Sequence, residues 1–83
     1  MASVKLTLAK GIWQEVGAFS FVAQRSNTGI TEKICADSLP VGGQEAATTI
    51  DYSVETYTPA PASGSWYVRS PYDDSSFRYT EVS

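Results

Sequence analysis

The chain has 83 residues, with six Lys and Arg against nine Asp and Glu, a formal net charge of −3, one cysteine and no histidine. That length makes one domain, residues 1–83, with a small core; the lone Cys35 excludes an internal disulfide, and the missing histidine excludes Ser-His-Asp and Cys-His nucleophiles. A mildly acidic chain lacks the field that steers proteins to nucleic acid, and no window nears the ~20 apolar residues of a membrane span, so neither partner is expected.

Strand periodicity runs from the start. Val4, Leu6 and Leu8 alternate with Ser3, Lys5 and Thr7, the period-2 signature of a half-buried strand. The opening MASVKLTLAK has no apolar run of signal-peptide length, which points to synthesis in a reducing cytoplasm. Gly11 ends the first strand, and IWQEV puts Trp13 and Val16 in a second short strand or a tight corner. Phe19, Phe21 and Ala23 then share one face against Ser20, Val22 and Gln24.

Ser26 to Gly29 is turn chemistry, because Asn and Gly tolerate positive φ. Beyond it Ile30, Glu32, Ile34 and Ala36 alternate with Thr31, Lys33 and Cys35, which predicts a hairpin between Phe19–Gln24 and Ile30–Ala36. DSLPVGGQEAATT reads as a loop crossing between sheets, with Gln44 to Ala47 long enough for one helical turn. TIDYSVETY reads as one strand with Ile50, Tyr52 and Val54 on a face. The prolines of Thr58–Gly64 cannot donate to a ladder and mark a strand end or sheet edge.

SWYVRS and SSFRYTEV are the last strands, and PYDD between them reads as the turn of a closing hairpin. Alternation puts Trp66 and Val68 on one face, and Phe77 and Tyr79 on one face; Tyr67, Arg69 and Arg78 point the other way, toward solvent or a neighbour. Turns every 8–12 residues give the rhythm of an all-β fold. The expectation is a small antiparallel β-sandwich or barrel of about six to eight short strands, without substantial helix.

The residues suited to chemistry all have structural readings. Asp73 and Asp74 suit turn chemistry, Asp side chains bonding nearby backbone N–H groups, and they lack the alternating ligand pattern of a calcium loop. Gly42-Gly43 is not followed by the Lys-Ser or Lys-Thr of a phosphate loop. Cys35 has only Lys33 nearby to lower its pKa and reads as a small strand residue. Arg69 and Arg78 among aromatics suit cross-strand Arg–Tyr and Arg–Asp pairs better than a single-strand nucleic-acid platform. No catalytic, metal or cofactor site is assigned, and no enzyme activity is expected.

The order V-K-L-T-L, W-Q-E-V, F-S-F-V-A-Q-R-S closed by N-T-G, I-C-A-D-S-L-P, G-S-W-Y-V-R-S and a final T-E-V resembles small β-sandwich virion proteins of tailed bacteriophages. It departs from their simplest pattern in a longer, more polar stretch over residues 44–58 and in PYDDSS, where a shorter Ser-Gly turn is usual. The resemblance implies a structural role: a capsid decoration or cement subunit, or a part of a head fibre, collar or tail. It also implies synthesis in the bacterial cytoplasm, residence in the virion, and the major capsid protein or other virion proteins as partners. The oligomer it favours is a trimer. Under it the expected subunit or capsid contacts are Val4, Leu6 and Leu8 in the first strand, Pro59 and Pro61, and Tyr67 and Tyr72. The alternative is a carbohydrate-binding or host-attachment module of a tail or fibre, with flat tyrosines, Tyr67, Tyr72 or Tyr79, stacking on a glycan.

Overall fold

The computed structural model describes residues 3–23, 31–41, 48–50 and 56–82. Their strands are β1 (Ser3–Leu8), β2 (Gln14–Gly17), β3 (Ser20–Ala23), β4 (Thr31–Ala36), β5 (Thr48–Ile50), β6 (Thr56–Thr58), β7 (Ser65–Arg69) and β8 (Ser75–Val82). They form two four-stranded sheets, β1-β8-β3-β6 (sheet A) and β2-β7-β4-β5 (sheet B). Every pairing is antiparallel. The expected β-sandwich is therefore the fold, and no helix occurs among the described residues.

Connectivity differs from the expected hairpins. Only β4 and β5 are consecutive strands that pair; every other step along the described chain passes from one sheet to the other. The predicted hairpin over residues 19–36 is wrong, because β3 pairs with β6 and β8 whereas β4 pairs with β5 and β7. TIDYSVETY is not one strand: β5 belongs to sheet B and β6 to sheet A, so the chain changes sheets across residues 51–55. The segment over residues 37–47 joins two neighbours within sheet B and is not the crossing. The closing hairpin is also wrong: β7 lies between β2 and β4, and β8 between β1 and β3. PYDD is the link of an arch between layers. The Ser26–Gly29 turn, the Gln44–Ala47 turn and the face carrying Tyr52 and Val54 lie outside the described residues.

Directly opposed residues of an antiparallel ladder share a face. Sheet A thus turns Leu6, Leu8, Phe77, Tyr79, Phe21 and Ala23 inward. Sheet B contributes Val68 and Trp66, and Val16 from a register irregularity between Glu15 and Gly17. The rings of Phe21, Phe77 and Tyr79 meet at centroid distances of 5.7–6.0 Å, with Phe21 edge-on to the other two. Such arrangements suit the ring quadrupoles and add to the burial energy.

Toward β4 and β6 the interior turns polar. The inner face of β4 carries Thr31 and Lys33, and Ile34 lies on the outer face opposite Tyr67. Lys33 Nζ donates to Thr58 Oγ1 at 2.7 Å, and it lies 5.2 Å from the Trp66 ring centroid. This bond joins sheet B to sheet A. Burial pulls the Lys33 pKa below its ordinary value. The long apolar stem lets a strand position open to either face turn inward, leaving the ammonium a hydroxyl and a ring face.

The ends of β1 and β7 are fastened together. Ile12 N–H donates to Ala9 O at 3.0 Å across Lys10 and Gly11, where φ is 73°, a value glycine adopts without strain. From this turn Gly11 N–H donates to Ser70 O at 2.8 Å and Lys10 N–H to Asp74 Oδ1 at 2.9 Å. Ser70 Oγ donates to Asp73 Oδ1 at 3.2 Å. Asp74 thus does bond a backbone N–H, but in another loop.

Candidate functional site

The expected contact residues do not converge on one patch. β1 is one edge of sheet A, and Pro59 and Pro61 follow β6, the opposite edge. Three strand spacings, about 14 Å, separate those edges. Leu8 is fully buried and Tyr67 is 7% exposed, so neither side chain lies open on the single subunit. Tyr72, at 71% exposure, and Val4, at 40%, are accessible; Leu6 is partly covered. Pro59 is exposed and its carbonyl accepts the Trp66 indole N–H at 2.8 Å, whereas Pro61 is half-buried.

The tyrosine that alternation placed toward solvent is buried on the outer face of β7, between Glu15 and Ile34 in register. Along the same strand Arg69 is held rather than free. Its Nε and Nη2 both reach Glu32 Oε1 at 2.8 Å, and its guanidinium sits 4.8 Å from the Trp13 ring centroid. The expected Arg–Asp pairing across the last two strands is replaced by this contact with β4. Arg78 Nη1 donates to Ser3 Oγ at 3.3 Å, across the β1–β8 ladder. Cys35 is exposed. Among the described residues no three His, Cys, Asp or Glu side chains gather as metal ligands.

The four sheet edges are unequal. β5 and β6 are three residues each, β6 runs into Pro59, and β2 carries the register irregularity. Short strands, prolines and bulges are the usual ways of blunting an edge. β1 has none of them: six residues, Ser3 to Leu8, pair with β8 from Thr80 to Ser75 without interruption, and no described strand lies on the other side. Thr7 O accepts the Gln14 side-chain amide at 3.3 Å. No described strand lies against the rest of this edge, so its other outward backbone N–H and C=O groups can take another strand. Inner-face burial increases along β1, from exposed Val4 through partly covered Leu6 to buried Leu8. The edge thus offers hydrogen-bonding groups and an incompletely covered apolar row together.

Other exposed apolar side chains lie elsewhere: Ile12 in the Ala9–Ile12 turn, Leu39 and Val41 after β4, and Tyr57 on β6. Tyr57 was missed in the sequence because TIDYSVETY reads as one continuous strand. No family model matches the chain, and neither a curated protein nor a solved structure matches it.

Proposed function

We propose that the chain is a non-enzymatic structural protein of a tailed-bacteriophage virion, a decoration or cement subunit that docks on the capsid surface as a symmetric homo-oligomer. The observation that carries this reading is the open β1 edge with its partly uncovered Val4 and Leu6. A two-layer sandwich of this size, with its single free thiol, has no internal cross-link to reinforce it. Assembly supplies the missing burial and covers the edge, and many copies on a lattice turn modest single-site affinity into firm attachment. The resemblance in strand order and motifs supplies the setting.

The test is co-sedimentation of the purified protein with isolated capsids of the phage that encodes it, followed by imaging of the pelleted particles. Saturable binding and regular added density at lattice positions are expected. Absence of the protein from the pellet at saturating concentration overturns the reading. The glycan-attachment alternative loses two stacking rings to burial, because Tyr72 is accessible and Tyr67 and Tyr79 are not.

A further inference from the structure

We propose that β1 is a self-association edge: two copies of this chain pair antiparallel through Ser3–Leu8 about a two-fold axis, joining their sheets A into one continuous eight-stranded sheet. The occupant is a second copy because β1 is complementary to itself in one register. A two-fold axis normal to the sheet keeps the inner face of one copy level with the inner face of the other. Only registers that pair residues of like parity satisfy this, since a slip of one residue turns every side chain to the wrong layer.

Two such registers pair five residues of each β1. One centres on Lys5 and sets Lys5 directly against its own copy, a like-charge contact that is unfavourable at strand-pair distance. The other centres on Leu6: Leu6 meets Leu6 of the second copy, Val4 meets Leu8, and Lys5 meets Thr7. Charge selects the second register. It also covers the two side chains that a single subunit leaves incompletely buried, Val4 at 40% exposure and Leu6. On the outer face Lys5 and Arg78 are directly opposed within one subunit, a like-charge pair already present; the Leu6-centred register places uncharged Thr7, not a third cation, against Lys5.

Lys5 thus acts as a register selector. An edge lysine ordinarily discourages strand addition; here it disfavours one alignment and tolerates the other. The contact is isologous and uses the edge of both copies, so it closes at two subunits and does not propagate into a filament. The pairing does not rest on the virion reading. A β1-linked dimer that ignores capsids would overturn that reading and leave the pairing standing.

The test combines mass and register. Light scattering on the purified chain is expected to give twice the chain mass, and Val4→Asp is expected to weaken the dimer at least tenfold while keeping the far-ultraviolet β spectrum and a cooperative melt. A monomer or a trimer in the unmodified chain overturns the pairing. Register is read in a Cys35→Ser background. Directly opposed Cβ atoms lie about 4.5–5.5 Å apart, whereas diagonal neighbours are about 7–8 Å apart. A mixture of Lys5→Cys and Thr7→Cys chains should form the mixed disulfide under mild oxidation well ahead of Lys5→Cys alone. Faster cross-linking of Lys5→Cys with itself, or no preference for the mixed pair, overturns the proposed register.

Discussion

At Gly64 the chain turns into β7 with a φ of 70°, and a Cβ there would run into the carbonyl oxygen of Ala36. Two separate costs meet at this position: the left-handed backbone disfavoured by any L side chain, and a clash with backbone that cannot rotate away. Gly64→Ala is expected to destabilise the fold by about 2–4 kcal/mol, read as a lower urea midpoint with an unchanged slope. Tyr79 makes a different prediction at the same scale. Burial first, and the charge of Glu81 second, raise its phenol pKa above the ordinary 10.0. A raised folded value contributes stability that is whole below the unfolded value and is lost as pH climbs through the folded one. Lys33 runs the other way, since burial lowers its pKa from 10.5; its desolvation cost is present at neutral pH and is relieved toward alkaline pH. Tyr79→Phe removes only the first effect. Between about pH 9 and about pH 11 the variant should lose less stability than the parent, and equal losses would refute the assignment.

At the scale of elements, most strands were legible, the split of TIDYSVETY into β5 and β6 was not, and neither were the strands' partners. Alternation grouped Phe19, Phe21 and Ala23 on one face, then Phe77 and Tyr79; the structure buries all of these but Phe19, which is partly buried against the core. A period of two says which residues share a face, but it carries no information about which sheet a strand joins. PYDD illustrates this: the same Pro and Asp residues serve a hairpin turn or an arch between layers, and bonds from Lys10 and Gly11 to Asp74 and Ser70 belong to the arch. Those partners lie some sixty residues apart in sequence. On β4 the alternation was correct, but apolar Ile34 lies outside and Lys33 inside because Thr58 waits on the facing sheet. Of the candidate contacts, β1 was readable as a strand, whereas its status as an edge depends on β8 choosing it as a neighbour. Arg69 belongs to this scale too, because it ties β7 to β4 and packs on Trp13. Its side chain is 15% exposed and that of Glu32 is 24%, so Arg69→Ala should cost about 2–3 kcal/mol through a lost charge-assisted bond and lost ring contact. Glu32→Gln should cost less, since the amide oxygen still accepts. Equal losses in denaturant unfolding of the two variants would argue against the role given to the Trp13 contact.

For the whole molecule, a small core leaves a thin margin of stability. Sheet A and sheet B meet over a short list of buried apolar residues, and the Phe21, Phe77 and Tyr79 rings are the largest pieces of it. A domain of this length is stable by roughly 4–12 kcal/mol on the per-residue scale of small proteins. Phe77 is 1% exposed, and its truncation to alanine removes transfer energy and leaves a cavity, together about 3–5 kcal/mol. That loss takes much of the margin and should lower the thermal midpoint by upward of ~12 °C. Tyr57→Ala, at a side chain 57% exposed on β6, should move stability by no more than about 0.5 kcal/mol. Anything that binds the folded chain and not the unfolded one adds to the margin by mass action. On the proposed β1 pairing the Phe77→Ala midpoint should rise with protein concentration, and on the proposed capsid docking it should rise further when capsids are present. A midpoint that ignores both concentration and capsids would mean that the isolated sandwich carries its whole stability within one subunit.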